Sequence, residues 1–203
     1  DIFARSPPAP PRSGGARSCH GCFMVTSEVD QGSFEVPEST RVAHELRAPE
    51  FHWHFSQGLR AVDAELYVPG VLCLLAGIEA SIRFTLRRLE SRAFPFNADL
   101  GTVLSNALLR EADKAGIPIQ SLAFAGETDF ASNLLQRQPE VRIVKVRNDL
   151  AHGNVQAFVN RDLGDDLAFF TPECLRPLAV ELRAMSLRWA KELALFRSES
   201  GLV

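Results

Sequence analysis

The chain predicts an all-α fold, an up-and-down helical bundle, and three observations carry that expectation. From Ser39 onward, apolar residues recur at helical spacing. Proline and glycine punctuate the periodic segments at Pro49, Pro69-Gly70, Gly116-Pro118 and Pro139. The longest apolar run, Val68 to Ile78, stops at Glu79, well short of the ~20 residues a bilayer span needs, so no membrane segment is expected.

The segments follow in order. Residues 1–38 read as a flexible tail: Pro7, Pro8, Pro10 and Pro11 precede Ser13-Gly14-Gly15, and the apolar residues have no period. Arg5, Arg12 and Arg17 lie there without a continuous apolar stretch, so the segment does not read as a secretory signal. Ser39 or Thr40 can cap a short helix through Ala48, which Pro49 ends. A second helical stretch covers Glu50 to Tyr67. Pro69 suits the first turn of a third helix reaching Ser91, the most apolar in the chain. Its Val71, Leu72, Leu74, Leu75, Ile78, Ile82, Phe84 and Leu86 are expected to cross the core. Ala93 to Asn97 connects to a helix ending at Ala115, before Gly116 and Pro118. A short piece, Thr128 to Gln136, precedes a helix that opens at Pro139-Glu140 and meets a stop signal at Gly153. A loop or short extended stretch follows Asn154. Thr171 then caps a last helix to Phe196, with Pro172 and Glu173 in its first turn.

A chain of 203 residues can bury one sizeable core. A formal net charge of −3 argues against a basic coat that binds nucleic acid without selectivity, and leaves room for a local basic groove. Cys73 sits in an apolar helix pattern and reads as a small buried hydrophobe. Cys19 and Cys22 have C-x-x-C spacing, but no second pair follows at zinc-ribbon distance, so they read as a spare pair in the tail. Together with Cys174 they fit a reducing, cytoplasmic setting. His52-Trp53-His54, with His44 and Glu45 nearby, invites a metal reading. Helix positions two apart point ~200° from each other, so one ion does not easily take both. No metal or cofactor is implied. No P-loop, G-x-S-x-G or H-E-x-x-H motif occurs, which removes the commonest NTPase, hydrolase and zincin readings.

The richest segment is Val144-Lys145-Val146-Arg147-Asn148-Asp149-Leu150-Ala151-His152-Gly153-Asn154. Ile143, Val144, Val146 and Leu150 supply a buried stripe, and Gly153 a stop. Asn148 and His152 are four apart, on nearly one face; Arg147 is ~140° round from His152, so its long side chain must bridge the gap. An arginine that can fork onto a phosphate, beside a histidine that titrates near neutrality, is the minimal equipment for cleaving RNA without a metal. Each residue also has a plainer role. His152 can be a helix C-terminal cap, and Arg147 can pair with Asp149 or with a carboxylate on another helix. Asn148 can orient His152, touch phosphate or face solvent, and Asp149 can cap locally. Glu79, the odd residue of the third helix, can pair with Arg83 one turn on or reach across to orient Arg147 or His152. Arg137, Arg142 and Lys145 approach the motif and could track an RNA backbone, or form a solvated face.

Arg147-Asn148-Asp149-Leu150-Ala151-His152-Gly153 resembles the R-x4-6-H motif of the HEPN superfamily, in its extended form R-N-x-x-A-H-G. The resemblance extends in pattern from Thr40 to the C-terminus, so residues 39–203 are expected to form a HEPN-like helical domain. It implies a metal-independent endoribonuclease with Arg147, His152 and Asn148 in the catalytic site. It implies a homodimer whose motif helices meet at a two-fold axis, giving one composite cleft with a base and an acid. Products would carry 2′,3′-cyclic phosphate and 5′-hydroxyl ends. The family's activity commonly serves as a toxin or in defence, often with a cognate antitoxin. The other reading of the same resemblance is a non-catalytic module that binds RNA, a nucleotide or a protein.

Overall fold

A computed structural model describes residues 36–90, 103–161, 164 and 168–202. The expected tail up to residue 35, the Cys19/Cys22 pair and the Ala93–Asn97 connector lie outside the described residues. Helix α1 (Glu38–Leu46) follows Pro37, whose ring fixes φ at −53°, and so begins one residue before the expected caps. Glu38 is favourably placed in the first turn and accepts from Nη2 of Arg183 at 2.7 Å. The helix stops short of Ala48 because Arg47 adopts the left-handed conformation, φ 44°.

Helix α2 (His52–Asp63) is shorter than expected, and α3 (Tyr67–Glu90) begins where the second stretch was expected to end. The break is at Glu65, φ 58°. The amide of Glu65 donates to the carbonyl of Val62 at 3.0 Å and that of Leu66 to Ala61 at 2.8 Å, the paired bonds of a Schellman closure. Such closures usually place glycine at the left-handed position; here glutamate stands there, so no punctuation marks the turn. Pro69 lies in the first turn of α3, where its missing N–H costs nothing.

Gly58, Gly70 and Gly77 let α2 and α3 approach closely. A Cβ on Gly58 would lie 2.8 Å from the Leu74 side chain; one on Gly77 would lie 3.1 Å from the Phe55 ring and 3.2 Å from Cβ of His54. Adding that methyl would force the helices apart at a cost of about 1–3 kcal/mol. On α3, Val71, Leu74, Leu75, Ile78, Ile82 and Leu86 are buried. Leu72 is instead 43% exposed, and Phe84 and Cys73 are only half-buried, because at ~100° per residue they fall beside the stripe.

A 3-10 turn over Pro172–Leu175, capped by Thr171, runs into α7 (Arg176–Glu199), three residues longer than expected. Trp189 on α7 is fully buried, and its indole N–H donates to Oγ of Ser81 at 2.9 Å. Helices α1, α2, α3 and α7 pack around this core, with α1 against α2, α2 against α3, and α7 against both α1 and α3. By length and composition alone α3 could cross a membrane; half of its most apolar 18-residue window is buried in this packing.

The remaining elements flank that core. Helix α4 (Asn106–Lys114) is capped by Ser105, whose hydroxyl accepts from the amide of Leu108 at 3.2 Å, and it closes at Gly116, φ 79°. A 3-10 turn over Ile119–Leu122, α5 (Phe130–Leu135), α6 (Arg142–Ala151) and a 3-10 turn over Val155–Phe158 follow. No strand occurs among the described residues. Helix α6 begins after Pro139-Glu140 rather than at it, for a reason that lies in α4. Asn106 is buried, and its amide donates to the carbonyls of Asn133 (3.0 Å), Gln136 (3.1 Å) and Pro139 (3.3 Å). Its carbonyl oxygen accepts from the amide of Val141 at 3.1 Å. Glu127 takes the amide of Arg142 at 2.7 Å. Long-range side chains thus supply the helix start that local caps would otherwise provide.

Candidate functional site

Helix α6 carries the motif and packs against α3. Ile143, Val144 and Val146 are buried as the stripe requires, whereas Leu150 is half-buried against the core edge. Arg147 leaves the other side of the helix and reaches α3, with Nε 3.4 Å from Oε2 of Glu79. Glu79 is an inward carboxylate with three partners. Its Oε1 accepts from Nη1 of Arg83 at 3.2 Å, and its Oε2 accepts the backbone amide of Leu104 at 3.0 Å. Its pairing with Arg83 and its reach to the motif helix therefore coexist.

Asn148 faces the opposite neighbour. Its amide donates to both carboxylate oxygens of Glu140, at 3.1 and 3.2 Å, and its carbonyl oxygen lies 3.5 Å from Nη1 of Arg147. Nη2 of Arg147 makes no hydrogen bond among the described residues. The guanidinium is held at Nε and at Nη1 and is open at Nη2, a posture suited to an anionic oxygen.

Between α2, α3 and α6 lies a cleft of about 380 Å³, lined by His54, Leu72, Leu75, Ala76, Glu79, Ala80, Arg83, Arg147 and Ala151. That volume falls in the range of small-ligand sites. The guanidiniums of Arg83 and Arg147 both meet the Glu79 carboxylate there. Apart from these groups and His54, the walls are apolar.

His152 follows Ala151 and closes α6, its backbone amide donating to the carbonyl of Asn148 at 3.0 Å. The residue is exposed, and its imidazole makes no hydrogen bond or ion pair among the described residues. It does not line the cleft. The segment beyond it is pinned by Asp149, whose Oδ2 accepts from Nζ of Lys145 at 2.6 Å and whose Oδ1 accepts from the Asn154 amide group at 2.8 Å. These bonds hold the Asp149 carboxyl below its ordinary pKa, the Lys145 hydrogen bond foremost. Gly153 (φ 73°) makes the turn between them.

The basic approach residues part company. Arg142 donates to Glu181 on α7 at 3.0 Å and lies over the Phe124 ring, 4.1 Å from its centre, so its head is used within the fold. Lys145 is committed to Asp149, and Arg137 is exposed before α6. Of the histidines near the metal-like run, His52 donates from Nδ1 to the Ala48 carbonyl at 2.9 Å, while His54 lines the cleft. No cluster of three or more metal-binding side chains occurs among the described residues.

Sequence reasoning did not connect His54 or Glu140 to the motif. Trp53 gave a partial signal: it lies off the Phe55, Leu59 and Val62 stripe of α2 and is 50% exposed, an aromatic that the core does not claim. Comparison with protein-family models, curated proteins and solved structures finds no match.

Proposed function

We propose that this protein is a metal-independent endoribonuclease with a HEPN-like helical domain. The observation that carries the reading is Arg147, anchored through Nε to Glu79 at the rim of a cleft, with one amine open. A phosphodiester resting there would have charge growing on its non-bridging oxygens met by a planar donor already in place. His152, exposed one residue beyond the cleft wall, serves as base or acid in attack of the 2′-hydroxyl on the adjacent phosphorus. Asn148 fixes the arginine from its other edge. RNA is then the substrate of a cytoplasmic toxin or defence effector, held in check by a cognate antitoxin.

The chain acts as a homodimer in this reading, with α6 at or near the interface. Exposed Leu72 beside the cleft and exposed Trp53 support such a contact. One specific observation favours the second reading, a non-catalytic HEPN-like binding module: the His152 ring lies outside the cleft lining. Two measurements separate them. Light scattering at micromolar concentration is expected to give a dimer, and an active monomer would remove the composite cleft. End analysis of RNA incubated with the protein is expected to give 2′,3′-cyclic phosphate and 5′-hydroxyl termini; intact RNA would leave the binding module.

A further inference from the structure

His54 brings a histidine to the Arg147 cleft, from a helix other than the motif helix. The absence of a Cβ on Gly77 lets this part of α2 lie against α3, which sets the imidazole at the cleft wall. Its ring stacks on Trp53, with centroids 3.8 Å apart and planes 23° from parallel, so its orientation is held by packing. A structural histidine commonly spends a ring nitrogen on a backbone carbonyl, as His52 does on Ala48. Neither nitrogen of His54 has a hydrogen-bond partner among the described residues. The charged groups sharing its cleft are Glu79 and Arg83 from α3 and Arg147 from α6.

We propose that His54 is the general base of the cleft, taking the 2′-hydroxyl proton of an RNA whose phosphate rests on Arg147. This deepens the ribonuclease reading and rests on it. As the 2′-oxygen–phosphorus bond forms, the proton passes to a ring nitrogen of His54. As the bond from phosphorus to the 5′-oxygen breaks, that oxygen takes a proton from protonated His152. Water then returns both histidines to their starting states, and no redox partner is needed. Burial lowers the pKa of His54, so its ring is neutral and able to accept a proton at neutral pH. His54 and Arg147 of one chain line the same cleft.

The test is the pH profile of RNA cleavage by the full chain and by His54→Gln and His54→Asn. A neutral base makes the rate climb as pH rises through the His54 pKa, on the acid side of about 6.5. Both variants are expected to lose that limb and to lower kcat at least ~100-fold, with KM changed less than about threefold. An unchanged kcat and profile would overturn the role of His54 and leave the ribonuclease reading intact. No cleavage by the wild-type chain would overturn both. Should the variants fold poorly, the wild-type imidazole resonances decide. A 2′-deoxy dinucleotide, which cannot be cleaved by this route, is expected to displace the His54 titration, and an undisplaced titration overturns the proposal.

Discussion

The guanidinium of Arg147 and the carboxylate of Glu79 meet at 3.4 Å, joining the motif helix to the most apolar helix of the bundle. Because Glu79 also binds Arg83 and the Leu104 amide, it fixes Arg147 against a framework rather than against a single side chain. A phosphate-binding arginine gains from this, since its rotamers are restricted before the ligand arrives.

Glu79→Gln keeps the shape of that hub and removes its charge. The expected loss of stability is about 1–3 kcal/mol, the scale for hydrogen bonds to charged groups. Cleavage is expected to fall further than stability accounts for, through KM as well as kcat, because Arg147 loses its anchor. Denaturant melts beside steady-state kinetics check this; a variant with wild-type kinetics would show the contact to be incidental.

Asn106→Ala removes the bonds that gather Asn133, Gln136, Pro139 and Val141 at the start of α6. The Val141 amide is then a buried donor without a partner. The expected cost is about 2–3 kcal/mol in the denaturant midpoint, with the α6 amides losing hydrogen-exchange protection first. Uniform loss of protection would place the weakness elsewhere.

These two residues show how unevenly the site was legible. The motif helix could be read because Ile143, Val144 and Val146 repeat at its own period, and Glu79 stood out as a lone acid in an apolar stretch. The sequence offered Arg83, or Arg147 or His152 across the helices, as its partner; which of them it meets depends on how α6 lies on α3. Asn106 gave no signal at all: an asparagine following a serine cap reads as ordinary helix-start chemistry, and its four partners are distant in sequence. The α2–α3 break was hidden for a local reason, glutamate in a position that usually takes glycine. Leu72 and Leu150 were misplaced because an apolar residue beside a stripe looks the same in sequence as one within it.

Asp149 makes the pH prediction. Its folded pKa is depressed, so its contribution is present above the ordinary carboxylate value and is lost as pH falls through the lower folded value. The pin between Asp149 and Asn154 is therefore expected to hold at neutral and mildly acidic pH and to release only in strong acid. Carboxyl-carbon NMR should place the Asp149 midpoint below 3.8, and Lys145→Ala should raise it. A midpoint at or above that value would mean the Lys145 contact is not formed in solution.

RNA cleavage in EDTA by the wild-type chain, Arg147→Ala and His152→Ala tests the central claim most directly. The account predicts cleavage undiminished by the chelator and at least ~100-fold slower in each variant, the scale for losing an electrostatic donor or an acid–base group. Both variants should keep the wild-type melting temperature to within a few degrees, because neither side chain belongs to the buried Ile143, Val144 and Val146 stripe. Arg147→Lys should recover little, since a point charge does not replace a planar fork. Cleavage by His152→Ala at the wild-type rate, or cleavage abolished by EDTA, would contradict the account.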